Sequence, residues 1–350
     1  MKPLVSILIS AHNAEELVGE TLQSAIAQTW PHKEIIVVDD GSTDGTAKIL
    51  RQFASRGVTV FSTENRGLCA GQNYVFKHCQ GDYIQYLDAD DLLAPDKIER
   101  QLAALRESDS RRILLSSPWA PFYYRTQDAQ FVRNSLWEDL SPAEWMFRKL
   151  SQNIHMQNAT WLVSRELAEA AGPWDEHLHY DQDGEFFARV LLASEGTRFV
   201  PETGIFYRAT SSNRVSYIGN SNQKKDSLLV SMRLQIQYLR SLEDSERVRK
   251  ACLTYLQNWY HNFYPERPDL VVELQGLAAD LQGSLEEPRL RWKYAWMKPV
   301  FGWETAKFAQ DALPLLKTAF KRKFDKMMYK FETRRSALCV PPSLEVTQKN

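Results

Sequence analysis

No run in this 350-residue chain approaches the roughly 20 consecutive apolar residues that a bilayer-spanning helix needs. A membrane-embedded enzyme is therefore not expected. At the N-terminus a single lysine precedes a seven-residue, serine-broken apolar run, Leu4–Ser10. That run is too short and too polar for a signal peptide. Cysteine is sparse: Cys69, Cys79, Cys252 and Cys339 show neither metal-ligand spacing nor a disulfide framework, which fits reduced thiols in a cytoplasm. The formal net charge is −1, without the basic surplus that nucleic acid selects, so nucleic acid is not expected as a partner. A Gly-rich turn after the first apolar run is missing too, which excludes the usual dinucleotide-binding dehydrogenase. Internal repeats and low-complexity tracts are absent. The expected location is the cytoplasm, at the inner face of the membrane if the chain touches lipid at all.

What is present is a globular composition, 43% apolar and 11% aromatic. It suits one large domain with an appendage, or two domains. Short apolar runs at 4–10, 34–39, 58–62, 82–87 and 112–116 alternate with helical patterns at 14–28, 43–55, 69–79 and 95–107. Leu17, Val18, Leu22, Ala25 and Ile26 form one face of the first helix, and Ser42-Thr43-Asp44 caps the second. This alternation predicts parallel strands with right-handed crossovers: a doubly wound, mostly parallel α/β sheet flanked by helices. Ligands of such sheets bind beyond the C-terminal edges of the strands. The stretch from Trp119 to Asn158 reads as an irregular, aromatic-rich insertion with a helix near 141–151. A strand at 160–163, helices at 165–171 and 184–194, and strands at 197–200 and 204–208 follow. Beyond Asn220 only helical patterns remain, at about 222–242, 244–262, 268–283 and 303–333, so the C-terminal extension is all-helical.

Polar clusters fall at the predicted strand ends. The first strand ends in Ser10-Ala11-His12-Asn13, the second in Asp39-Asp40-Gly41-Ser42, and the fourth in Asp88-Ala89-Asp90-Asp91. Carboxylates crowded after a strand repel one another unless a cation joins them, and a hard divalent ion shared with a diphosphate is the economical partner. Asp-x-Asp alone is a weak signal, since a solvated turn before a helix N-cap uses the same residues. Asp91 is read as a cap of the following helix. Gly67, after Asn65-Arg66, permits a positive φ or a close backbone approach.

Four segments in register resemble the family 2 glycosyltransferases, GT-A enzymes that use nucleotide-diphosphate sugars. They are Val5–Asn13, Ile35–Asp44, Asn65-Arg66-Gly67 and Gly81–Asp91. The likeness is strong from residue 4 to about 105 and looser to about 208. It implies that Ser10, Ala11 and Asn13 line the nucleotide base and ribose, with Asp40 facing the base and Glu15 nearby. Asp88-Ala89-Asp90 would be the family's Asp-x-Asp, Asp90 nearest Mn²⁺ or Mg²⁺ and Asp88 nearer the ribose. Gln72 stands where many members carry a nucleotide-contacting Arg, a departure that removes a charge. Arg208, and secondarily Arg214, is a candidate for neutralising the diphosphate; an exposed loop arginine is the competing use. The implied organisation is a nucleotide-sugar-binding and catalytic GT-A domain at 1–215, a helical region at 216–340 and a disordered tail at 341–350.

A second acidic cluster, Tyr180-Asp181-Gln182-Asp183-Gly184-Glu185, resembles the family's later motif, where a Glu-Asp pair opens a helix and its Asp is the general base. Here the pair reads Gln182-Asp183. Inverting transfer needs one carboxylate to take the acceptor hydroxyl proton. The metal stabilises the departing diphosphate, so no second acid is required. Asp183 is the expected base, with Asp181 and Glu185 as alternatives and a simple helix cap as the competing role. The expected reaction moves a sugar from a nucleotide-diphosphate donor, with UDP favoured, to a hydroxyl of a glycan, lipid-linked or protein acceptor. Two rival readings are a nucleotidyltransferase, which should carry a Gly-rich basic loop after strand one, and a non-catalytic sugar- or partner-binding protein on the same scaffold.

The rings of Trp119, Phe122, Tyr123, Tyr124, Trp137 and Trp145 suit either sugar stacking or, more commonly, core packing. His155 and Asn158 are read as structural. From Arg291 to Arg335 twelve Lys/Arg stand against four Asp/Glu, a net of +8 that leaves −9 for the rest. The segment 303–333 thus has the composition of a basic amphipathic helix able to lie on an anionic membrane, with a solvated charged face as the alternative.

Overall fold

The structure is a computed structural model that describes residues 2–105, 110–209, 218–219 and 221–333. Arg214, Cys339 and the 341–350 tail lie outside the described residues. In chain order the N-terminal elements are β1 (Val5–Ala11), α1 (Val18–Ile26), β2 (Lys33–Asp40), α2 (Thr46–Ala54), β3 (Val58–Thr63), α3 (Leu68–His78), β4 (Tyr83–Tyr86), β5 (Leu92–Leu93) and α4 (Lys97–Ala103). Next come β6 (Ile113–Ser116), β7 (Trp119–Phe122), α5 (Pro142–Gln152), β8 (Val163–Ser164), α6 (Arg165–Ala171), α7 (Gln182–Ala193), β9 (Gly196–Phe199) and β10 (Ile205–Arg208). Helices α8 (Asn222–Leu242), α9 (Glu246–Trp259), α10 (Pro268–Asp280), α11 (Trp292–Ala295) and α12 (Lys298–Thr333) complete it, the last turning at Gly302 with φ 81°.

The central sheet has the order β3-β2-β1-β4-β8, with all neighbours parallel except β8. Every residue of β1 is buried, as expected of a strand covered on both faces. Ile7, Ile9 and Val37 face one way and pack with Val18, Leu22 and Leu50 of α1 and α2. Leu8, Ile36 and Val38 face the other way, onto Val75, Trp161 and Phe186. The period-2 alternation of a strand produces this division.

Two strand expectations need correction. The run at 112–116 does not join the central sheet; as β6 it pairs with β9 in a separate parallel ladder. The insertion after Trp119 is not wholly irregular, because β7 joins β10 and β5 in a three-stranded sheet. Pro121 is tolerated in β7 because that strand lies at the sheet's edge, where a missing N–H does no harm. Phe122, Trp137 and Trp145 are core residues.

Candidate functional site

The four segments meet at the C-terminal edges of β1, β2 and β4, tied by side chains that cap backbone groups. Asp40 is buried, and its carboxylate accepts from the Arg66 N–H at 2.9 Å and the Gly67 N–H at 2.8 Å. It thereby fixes the loop that opens α3, where Gly67 has φ 91°. Asn13, at φ 48°, accepts from the Thr43 N–H at 2.8 Å, and Glu15 accepts from the Gly45 N–H at 2.6 Å. Ser10 and Ala11 are buried beside them, and Gly71 is required opposite Ser10, because a Cβ there would lie 2.1 Å from its hydroxyl oxygen. Gln72 is fully buried with neither amide atom partnered. Such an unmet donor and acceptor destabilises the fold unless water or a ligand fills the gap.

The loop after β4 is held from three sides. Thr21 on α1 donates to the Ala89 carbonyl at 3.0 Å. Gln157 and Asn158 donate to Asp88 at 3.2 and 3.1 Å, and Gln157 also donates to Asp91 at 2.8 Å. Arg208 donates its backbone N–H to Asp91 at 2.7 Å and its Nε to the Asp90 carbonyl at 2.6 Å. Asp91 is therefore a buried acceptor and not a helix cap; Asp96 occupies the N-cap of α4. Nor is Arg208 an exposed loop arginine. It is fully enclosed, with Nη2 2.7 Å from Glu20 and the guanidinium 4.5 Å over the Phe122 ring. Burial, then the Asp90 charge, pushes the Asp88 carboxyl up to about 6. Asp91 rises well above the usual carboxylate range through burial, then the charges of Asp90 and Asp88.

The second acidic cluster is brought over the sheet by Asn73 of α3, which exchanges hydrogen bonds with the Trp174 backbone at 2.8 and 2.9 Å. Trp174 stacks on Phe186 of α7 with centroids 4.1 Å apart. At the start of α7, Asp181 adopts φ 55° and accepts from Ser231 and Gln235 of α8, both at 2.7 Å. Gly184 is needed there, since a Cβ would lie 2.2 Å from Asp181. Glu185 is buried and paired with Arg189 at 2.7 and 2.8 Å, and accepts from the Tyr238 hydroxyl at 3.0 Å. Asp183 makes no side-chain cap of the helix, and its carboxylate receives only the Gly184 amide. Burial, then the Asp181 charge and that of Asp88, pushes the Asp183 carboxyl up to about 6, with Lys149 opposing. The Asp88 charge is thus among those that act on the Asp183 carboxyl. Sequence reasoning missed Gln157, Lys149 and Glu20; nothing in their local pattern distinguishes them from ordinary surface residues.

The donors after β4 are hard oxygens, the type that Mg²⁺ and Mn²⁺ prefer. Asn158 adds a buried carbonyl oxygen without a partner beside Asp88. Among the described residues no group of three or more His, Cys, Asp or Glu could hold a metal alone. Mg²⁺ is also bound through one or two carboxylates and completed by substrate phosphates. A cavity of about 440 Å³ lined by Glu286, Arg289, Lys298 and Trp303 includes none of these groups.

The chain is similar to known glycosyltransferases. The family model for glycosyl transferase family 2 matches residues 6–169. An uncharacterised glycosyltransferase of Rickettsia typhi is 33% identical over 199 residues, 55% of this chain and 60% of that protein. A Bacillus subtilis glycosyltransferase named for teichuronic acid biosynthesis, TuaG, is 40% identical over 109 residues, 30% of this chain and 43% of its own length. The chain thus spans about half the length of these curated relatives. Among solved structures, S. aureus TarS 1–349 in complex with UDP-GlcNAc shares the fold at TM-score 0.63 and 17% identity, covering 87% of this chain and 90% of that one. A Pyrobaculum calidifontis mannosyltransferase in complex with GDP-Man and Mn²⁺ gives TM-score 0.51 at 19% identity, covering 93% and 88%.

Proposed function

We propose that the chain, whose residues 6–169 match the family model for glycosyl transferase family 2, transfers a sugar with inversion from a nucleotide-diphosphate donor to an acceptor hydroxyl. The acceptor is a glycan, a lipid-linked sugar or a protein, and the donor is UDP-linked, as in the TarS complex. The carrying observation is Asp183: of the three acids at the start of α7 it alone is not tied to a side chain of α7 or α8, and it interacts electrostatically with Asp88.

In this reading Ser10, Ala11, Asn13, Glu15 and Asp40 shape the base and ribose pocket, largely through the backbone groups they hold. Gln72 offers its unmet amide to the nucleotide. Asp90 and Asp88 would hold Mn²⁺ or Mg²⁺, which would supply charge neutralisation for the departing diphosphate. Arg208 positions that loop from behind through the Asp90 carbonyl. Asp183 takes the proton from the acceptor hydroxyl as its oxygen attacks the anomeric carbon and the sugar–phosphate bond breaks. The Trp119 ring, 5.3 Å from His155 and 5.9 Å from Tyr207, forms a partly exposed wall for the acceptor. The proposal extends to peripheral contact between the C-terminal helix and a membrane.

Asp183→Asn is expected to abolish transfer while leaving donor affinity, measured by calorimetry, within a few-fold. Wild-type turnover in that variant overturns the assignment. Transfer and hydrolysis of a nucleotide sugar should stop in EDTA and return with Mn²⁺; equal turnover in EDTA removes the metal.

A further inference from the structure

We propose that the outward face of α12 between Phe320 and Phe331 docks on an anionic lipid bilayer. The inward face is fixed by named contacts. Asp325, 6% exposed, accepts from the Tyr124 N–H at 2.8 Å and from Arg125 Nε at 2.6 Å. Arg125 Nη1 reaches Glu332 at 3.2 Å, Lys326 pairs with Glu16 at 2.6 Å, and the Tyr329 hydroxyl donates to Glu20. These residues lie on one side of the helix and leave it little freedom to roll.

At about 100° per residue, the opposite side carries Phe320, Phe324, Met327 and Phe331, which are 76, 52, 58 and 54% exposed. Single exposed apolar residues are ordinary, but four in one stripe on a helix are not. Lys321 flanks the stripe on one side, and Lys323 and Lys330 on the other. All three are exposed and make no ion pair among the described residues. An apolar stripe between two rows of lysine is the pattern of a helix lying in the headgroup plane, with rings in the acyl boundary and ammonium groups rising to phosphates. Trp292 of α11 and Trp296 just after it, 81 and 61% exposed, add rings of the type enriched at such interfaces. Among the described residues no helix is long and apolar enough to cross a membrane. This surface would therefore lie on lipid and not span it.

Charge selects the occupant. The segment from Arg291 to Arg335 carries +8 and the remainder −9, so an anionic sheet attracts this edge and repels the body. A second copy docked through the same stripe would set lysine against lysine, and nucleic acid would leave the rings unused.

The test is co-sedimentation of the full chain with vesicles of phosphatidylcholine alone or with one-third phosphatidylglycerol. Binding is expected only with the anionic lipid. Phe324→Ser/Phe331→Ser should lower it at least tenfold, and Lys321→Glu/Lys323→Glu/Lys330→Glu should abolish it. Both variants should keep the wild-type melting temperature, since the altered side chains are exposed. Equal partition of wild type and the Phe double variant overturns the proposal, as does equal binding to neutral vesicles. A concentration-dependent dimer in sedimentation that the Phe substitutions dissolve would assign the stripe to a second copy instead.

Discussion

Two residues carry the proposed chemistry and its support, and each has a test. The Asp183 carboxyl is pushed up to about 6, chiefly by burial. A general base must be ionised, so it works above that value and carries a proton below it. The kcat/KM of transfer should fall about tenfold per pH unit below pH ~6; a flat profile from pH 5 to 8 would assign the proton to another group. Glu20 was invisible in the sequence, yet it compensates the fully enclosed Arg208. Removing one partner of a buried pair typically costs ~3–5 kcal/mol. Because Glu20 is itself partly exposed, Glu20→Gln should lower unfolding stability in urea by about 3 kcal/mol, the low end of that range. A loss under ~1 kcal/mol would mean that water reaches the guanidinium. The motif acids were legible because their types and spacing are chemical requirements. Gln157, Lys149 and Glu20 were not, because what makes them matter is a partner 66, 86 or 188 positions away.

At the level of elements, helices and buried strands were readable wherever one period ran unbroken. The runs at 34–39 and 222–242 reappear as Lys33–Asp40 and Asn222–Leu242. Short elements set by distant partners were not. The strand expected at 160–163 is displaced to Val163–Ser164, because the Gln157 side chain accepts from the Ala159 N–H at 2.7 Å and turns the chain there. The C-terminal helix α12 was readable, but its attachment was not. Tyr329 donates to Glu20, Glu20 holds Arg208, and Arg208 donates to the Asp90 carbonyl. The far end of the chain thus braces the loop proposed to hold the metal. Tyr329→Phe deletes one hydrogen bond of ~0.5–1.5 kcal/mol. It should therefore weaken the Mn²⁺ concentration dependence of transfer several-fold, with KM for the acceptor unchanged. An unaltered Mn²⁺ dependence would separate α12 from the site.

At the scale of the whole molecule, the boundary expected near residue 215 does not divide the core. One cluster of buried side chains runs from Leu8 and Val38 of the sheet through Trp145, Trp161 and Phe187 into Leu228, Met232, Ile236, Leu239, Val248, Cys252 and Leu256 of α8 and α9. Fully burying a side chain of this size contributes roughly 1.5–3 kcal/mol. Uncovering seven would remove about as much as the ~5–15 kcal/mol by which whole domains are stable. The helices also reach the chemistry, because Ser231 and Gln235 of α8 hold Asp181 two residues before Asp183. A fragment ending at residue 215 should therefore fail to give a cooperative melt and should aggregate, whereas the full chain melts in one transition. Ser231→Ala/Gln235→Ala in the full chain isolates the second effect from the first. It should leave that single transition in place but lower kcat well before it alters donor binding, because the left-handed turn presenting Asp183 is loosened and Lys149 beside it loses its Gln235 partner. If the 215-residue fragment folds and turns over donor like the full chain, α8 and α9 are an attachment and not part of the enzyme.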